Sequence, residues 1–260
     1  MKLFWLVFVL LFLNCWLFCE NVSVKEFEMR IFDHANQVRR ENSLPELANE
    51  ESLVELARMH SHNMGWEGFF DHVDHEGLQV WQRQRKYFPE LIHGGIGENL
   101  HYTLRSDRKY DPGAIVSDWM GSPEHRDNLL EEDYTHAGVG IFLLGSKLYT
   151  TMVFAVPVLK LLSDLPEKFH RDKAYRLDFE YLSPAPGKDL QCQLNTPDPK
   201  TRIMVSPTIY YEGSIPLKLD WSDGRHLSVL CDFSHGKGSY SLDCGWNGYF
   251  YKDMMIFKVK

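Results

Sequence analysis

Between Glu20 and Gln191 the chain has no cysteine, although it holds five in 260 residues. The first two thirds of the protein must therefore hold together by packing, without disulfide support. Runs of lysine or arginine are also missing, and nothing local offsets a formal net charge of −8. That balance argues against a nucleic-acid partner bound through phosphate neutralisation. No Gly-x-Ser-x-Gly elbow, His-Glu-x-x-His helix or phosphate-binding glycine loop occurs, so the sequence names no nucleophile and no nucleotide site. Internal repeats and low-complexity tracts are absent too. The one long apolar run, near the N-terminus, is broken by Asn14 and sits at the lower limit for crossing a bilayer.

What is present is an ordinary globular composition, 44% hydrophobic and 25% charged, enough to bury a core in one large or two modest domains. Met1-Lys2 followed by the uncharged stretch Leu3 to Leu13 reads as an export signal over residues 1–19. The expected location is therefore secreted or extracellular. A lipid-anchored cell-surface form is the alternative, because "WLFC" at Cys19 shares the leucine and cysteine of a bacterial lipobox. Membrane association is expected only if the signal stays uncleaved or Cys19 carries a lipid. Asn21-Val22-Ser23 is a glycosylation sequon, relevant in a eukaryotic source. Once the signal is removed, Cys192, Cys231 and Cys244 remain, all in the last third.

Helical spacing comes first along the chain. Phe27 to Glu41 carries Ile31, Ala35 and Val38 on one face. A second helix, capped by Asn49, aligns Leu53, Leu56, Ala57, His60 and Met64 in a stripe. His60, on that apolar stripe, reads as a hydrogen-bonded core histidine rather than a ligand. "GLQVWQRQRKYFPE" reads as a third helix ending before Pro89, "IGENLHYTL" as a short strand, and "DPGAIVSDWM" as a fourth helix. In "WMGSPEHRDNLL", Gly121 suits a left-handed helix end, Ser122 an N-cap and Pro123 a first helical position. His125 then sits in a first helical turn, where the dipole disfavours imidazolium. "HAGVGIFLLG" and "KLYTTMVFAVPV" read as a buried hairpin turning at Gly145-Ser146.

Beyond Leu162 the texture changes to proline-rich turns and short strand-like runs: "RIMVSPTIYY", "IPLKLDW", "HLSVLCDF", "SYSLDCGW" and "DMMIFKVK". These predict a small all-β, sandwich-like domain. The expected layout is a first domain over 25–162, a linker over 163–190 and a β-rich module over 191–260. A hairpin turning through "SHGKGS" would oppose Phe233 to Leu242, Cys231 to Cys244 and Val229 to Trp246. That register predicts a Cys231–Cys244 disulfide and leaves Cys192 odd.

Three motifs at element boundaries carry candidate chemistry: "FFDHVDHEG" (His72, His75), "GIGENL" (Glu98) and "SPEHRDNL" (Glu124, His125). Two imidazoles and a carboxylate can hold zinc with an open fourth position or share a proton. Alternatively Ser-Pro-Glu-His-Arg serves helix capping alone, with Glu98 accepting local backbone N–H groups. Spacing by itself leaves both readings open.

From about Phe27 to Pro157 the blocks "FDHANQVRRENSLPEL", "LVELARMHSHNM", "FFDHVDHEG", "GENL", "WMGSPEHRDNLL" and "HAGVGI" resemble, in order and spacing, the CAP superfamily of cysteine-rich secretory proteins, antigen 5 and pathogenesis-related proteins. The likeness is greatest to its bacterial-type branch. The resemblance implies an α+β fold, a CAP-type α-β-α sandwich followed here by the β module, with two histidines and two glutamates in a cleft. Matched residue by residue, it places His72, Glu98 and His125 in that cleft as candidate metal ligands. Glu124 and His75 are secondary candidates, because adjacent helical residues point about 100° apart and Glu124 and His125 hardly face one spot. The family's hallmark disulfides have no counterpart before residue 191.

The function expected on this basis is a secreted, non-enzymatic binding protein whose cleft holds a divalent metal such as Zn2+. Its expected partner is an extracellular ligand, a lipid or sterol, or a glycan or protein surface. The alternative from another class is a zinc-assisted hydrolase or protease using Glu98 as general base. A third reading makes the β module alone the functional part.

Overall fold

The computed structural model of the protein describes residues 23–260. The export signal, the Cys19 lipidation alternative and Asn21 of the sequon lie outside the described residues. Among these residues no helix is long and apolar enough to cross a membrane. The chain divides into two compact units, one formed by residues up to Tyr87 together with Ile96–Ala155, the other by Phe88–Gly95 together with Val156–Lys260.

In the first unit, α1 spans Val24–Glu41 and begins where the Ser23 side chain accepts from Glu26 N–H at 3.1 Å. It buries Phe27, Ile31, Phe32 and Ala35, the face its periodicity predicts. At its end Arg39, fully buried, donates to the carbonyls of Pro45, Leu129, Glu131 and Tyr134. The short strand β1, Ala48–Asn49, follows. Helix α2, Glu51–Glu67, starts from Glu50, whose carboxylate accepts from Ser52 N–H, rather than from Asn49, which is held in β1. Helix α3 (Val80–Tyr87) precedes a fourteen-residue strand β2 (Leu91–Leu104), then α4 (Pro112–Gly121) and α5 (Pro123–Leu130). The hairpin of β3 (His136–Leu144) and β4 (Lys147–Leu161) turns at Gly145 as expected, with Leu144 opposite Lys147 and His136 opposite Ala155.

Alternation along β3 builds the layers. Ala137, Val139 and Ile141 join Phe27, Ile31, Ile115 and Trp119 in one core, under α1 and α4. Gly138 and Gly140 face the other way. A Cβ on either would fall 2.2 Å from Val54 N or 2.0 Å from Arg58 N, so α2 lies directly on the strand backbone. The result is helix, sheet, helix: the α-β-α sandwich.

The second unit is a β-sandwich. One layer runs from the end of β4 through β5 (Ala174–Tyr181) and β11 (His226–Asp232) to β10 (Asp220–Trp221). The other orders β13 (Tyr249–Val259), β12 (Gly238–Trp246), β6 (Leu190–Asn195) and β9 (Ser214–Pro216). Leu177, Phe179, Val229 and Phe233 meet Leu194, Leu242 and Phe257 in a shared core. The stretch 163–190 is thus not simply a linker, since β5 lies inside it and pairs with β11 from Ala174 to Glu180. "RIMVSPTIYY" is likewise not one strand. It folds back at Ser206-Pro207 into a ribbon of β7 (Arg202–Met204) and β8 (Tyr210–Glu212).

The disulfide also differs from expectation. Cys192 pairs with Cys244, with a Cα–Cα distance of 4.2 Å, and Cys231 is free and buried. The reason is that β11 and β12, consecutive in sequence, belong to opposite layers. Cys231 and Cys244 do share one interior, but β6 supplies the lateral neighbour, with Leu194 opposite Leu242 and Cys192 opposite Cys244. Burial pushes the Cys231 thiol pKa up to about 12, which leaves it unreactive. Peptide mapping of the unreduced protein is expected to recover a Cys192–Cys244 cross-link, with Cys231 alkylated only after denaturation. Closing a loop of 52 residues, the bond contributes roughly 4 kcal/mol in the chain-entropy description, so C192S or C244S should lower the urea midpoint accordingly.

Candidate functional site: an imidazole–carboxylate–guanidinium cluster

The loop after α2 is shaped by its own acids. Gly68, left-handed at φ 76°, ends the helix. The Asp71 carboxylate accepts from Val73 N–H at 2.8 Å, and Asp74 Oδ1 accepts from Glu76 and Leu78 N–H at 2.9 and 2.8 Å. His60, fully buried on α2, donates Nε2–H to the Asp71 carbonyl at 2.9 Å. Burial holds its pKa below the usual imidazole value. It is the core histidine its position on the apolar stripe suggested.

This loop presents His72 to β2. His72 Nδ1 lies 2.9 Å from Glu98 Oε1, and because a carboxylate only accepts, Nδ1 carries the proton and Nε2 is the nitrogen left for a ligand. The ring is about half exposed, 53%, whereas the Glu98 side chain is 2% exposed. Glu98 Oε2 is taken by the guanidinium of Arg83, itself fully buried on α3. Arg83 Nη1 also donates to the carbonyls of His72 and Leu78, each at 2.8 Å. One guanidinium thereby fastens both the carboxylate and the backbone that carries its imidazole partner.

The next residue of β2 points the other way and organises α5. Asn99 donates to the His125 carbonyl at 2.8 Å and accepts from Asn128 at 2.9 Å, and Asn128 reaches the Glu98 carbonyl at 3.2 Å. Gly97 is required beside them, since a Cβ there would sit 2.3 Å from the Tyr134 hydroxyl. At the α4–α5 junction, Ser122 closes one helix and opens the next in extended conformation, with no side-chain cap bond. Gly121 therefore ends α4 as its last helical residue, not as a left-handed cap.

His125 is half-buried on this first turn of α5. Burial, and then the neighbouring charge of His72, hold its pKa below the usual imidazole value. His72 is held above that value by its bond to Glu98, against the opposing effect of burial. Thus His72 and Glu98 are in direct contact, and His125 joins them through electrostatics rather than through a bond. Glu124 is exposed and acts on His125 through its charge alone; His75 is exposed on the loop and bonds to none of the three. Among the described residues no set of three or more His, Cys, Asp or Glu donors is gathered to hold a metal ion. Arg83 is the member that sequence reasoning missed, one cation among three in "RQRKY", with no local signal of burial. Asn128 had a signal, a weak helix former inside an eight-residue helix.

Residues 32–156 match the model of the cysteine-rich secretory protein family, CAP. The chain is 32% identical over 114 residues to the uncharacterized membrane protein YlbC of Bacillus subtilis, covering 44% of this chain and 31% of that protein. It is 28% identical over 124 residues to the uncharacterized protein YkwD of the same organism, covering 48% and 46%. The match thus spans less than half the length of either relative. Among solved structures, an extracellular protein containing an SCP domain from Bacillus anthracis aligns at 27% identity and TM-score 0.43, over 50% of this chain and 40% of that one.

Two outcomes follow from the cluster's electrostatics. Removing the guanidinium in Arg83→Met leaves the Glu98 carboxylate buried beside a half-exposed ring, and should cost about 3 kcal/mol or more by urea denaturation. Because the folded pKa of His72 is raised from 6.5, its protonation adds stability that is complete below the unfolded value and lost as pH rises through the folded one. His72→Asn should therefore lower stability more at pH 5.5 than at pH 8.5 when both proteins are unfolded in the presence of a chelator; equal losses at the two pH values would contradict the assignment.

Proposed function

Because the chain belongs to the CAP superfamily through residues 32–156, we propose that it is an exported, non-enzymatic binding protein that uses the His72–His125 cleft to engage an extracellular partner. That partner is a lipid or sterol, or a glycan or protein surface. The observation that carries the reading is the division of labour around Glu98. Both of its oxygens are already engaged, one by His72 and the other by Arg83, which suits a group that orients its imidazole partner. A general base must be free to take a proton from water, and this disfavours the zinc-assisted hydrolase reading.

A divalent metal fits the donor chemistry in a limited way. His72 Nε2 and the imidazole of His125 are the two nitrogen donors, and Glu98 stands behind His72 as the carboxylate that fixes its tautomer and strengthens it as a ligand. Zinc there would supply a Lewis-acid contact to an oxygen or nitrogen of the bound partner. His72 and His125 would hold it, while Glu98 and Arg83 keep His72 in place and Asn99 keeps the start of α5 in place.

Isothermal titration of the protein with zinc is expected to show one site, lost in His72→Ala and in His125→Ala. Glu98→Gln should weaken it by about 10- to 100-fold, the usual effect of removing an outer carboxylate partner. An unchanged titration in either histidine variant would overturn the metal assignment. Metal-stimulated turnover abolished by Glu98→Gln would overturn the non-enzymatic one.

A further inference from the structure

The ribbon of β7 and β8 stands apart from both layers of the sandwich as its own two-stranded sheet. Large apolar side chains flank its turn: Met204, Val205 and Ile209 are 58%, 57% and 59% exposed, and Tyr210 and Tyr211 are 42% and 41% exposed. Successive residues of a strand point to opposite faces. Pairing sets Ile203 beside Tyr211 on one face and Met204 beside Tyr210 on the other. Next to the turn the ribbon is therefore apolar on both sides, a wedge rather than a face, with Ser206, Pro207 and Thr208 at its extreme end.

The wedge is also built to hold its shape. At its turn Val205 N–H donates to the Ile209 carbonyl at 2.9 Å, and Ile209 N–H donates to Ser206 Oγ at 3.1 Å. At its base Gly213 N–H donates to the Thr201 carbonyl at 2.9 Å, and the Thr196 hydroxyl donates to the Gly213 carbonyl at 3.1 Å. Arg202 marks the polar boundary, its guanidinium 4.8 Å from the centre of the Tyr210 ring.

We propose that this ribbon inserts its apolar tip, Met204 to Tyr210, into the headgroup–acyl boundary of a phospholipid bilayer. A folded protein partner would cover one face of the ribbon and leave the other wet, whereas a fluid lipid phase closes around both. Pairing with a second copy along an open edge is poorly served, because β7 and β8 are three residues each and offer few backbone bonds. Three residues of strand reach about 10 Å, which matches the roughly 5–10 Å depth at which interfacial segments sit. Tyrosine suits that depth, with an apolar ring and a hydroxyl that stays hydrated. Around the base Lys200 and Arg202 are balanced by Asp198 and Glu212, and the whole chain carries −8. Apolar burial, not attraction to anionic lipid, supplies the affinity, so binding should survive high salt and need no anionic headgroup.

The proposal uses the second unit alone and shares no residue with the cleft, so it and the zinc reading fail separately. The test is made on the full chain carrying Ile209→Trp, mixed with phosphatidylcholine vesicles at 0.5 M salt, a concentration chosen so that surface charge is screened. The emission of the new indole is taken by difference from the wild type, which removes the contribution of the native tryptophans. The expected result is a blue shift on adding vesicles and quenching by acyl-chain-brominated lipid. Adding Val205→Asp in that background should raise the lipid concentration needed by about tenfold or more, with an unchanged melting curve because both positions are exposed. An indole whose emission ignores vesicles, or a blue shift that appears without lipid and grows with protein concentration, would overturn the proposal, the latter in favour of self-association.

Discussion

A buried guanidinium–carboxylate pair, Arg83 with Glu98, is the interaction on which the candidate site depends. Both side chains are almost wholly removed from solvent, 0% and 2% exposed, and neither could be buried alone without a large desolvation penalty. Arg83 repays its burial by bonding beyond the carboxylate, to the carbonyls of His72 and Leu78. The loop after α2, the helix α3 and the strand β2 are thereby held by one planar group with several fixed donors. The ring of His72, about half exposed, takes its orientation from its bond to Glu98.

Strand alternation then divides the work. Glu98 and Asn99 are neighbours in sequence and point to opposite faces of β2. Glu98 serves His72, and Asn99 ties down the turn of α5 that bears His125. Burial and the positive neighbour keep His125 below the usual imidazole value while the carboxylate keeps His72 above it. The two histidines are thus shifted in opposite directions, His72 by its bond to Glu98 and His125 by burial.

The second unit solves a different problem with different means. Its layers are short-stranded, and the Cys192–Cys244 bond between neighbouring strands of one layer reinforces a core shared with the opposite layer. Within that economy of strands, β7 and β8 contribute little to the core and leave their apolar side chains outside it. Exposed apolar clusters of this kind mark contact surfaces more often than they mark packing failures.

Much of this architecture was legible in one dimension. Helical stripes at Ile31, Ala35, Leu53 and Met64, the hairpin turn at Gly145, and the β character of the C-terminal region depend on local periodicity and turn chemistry, which neighbouring residues determine between themselves. The motif residues His72, Glu98 and His125 stood out as candidates by their likeness to a family, and of these His72 and Glu98 are in direct contact. Three-dimensional pairing was not. Val229, Cys231 and Phe233 were correctly read as inward-facing, yet a strand's inward face is the same whether its sequence neighbour lies beside it or across the core, and only the folded chain decided for Cys192. Arg83 was invisible for a similar reason: a guanidinium on a short basic helix looks solvated until a carboxylate from a distant strand arrives beneath it. The amino-acid sequence by itself determined the elements and the faces they bury; the tertiary structure decided which distant residues meet, because desolvation and charge pairing act through space and leave no period in the chain.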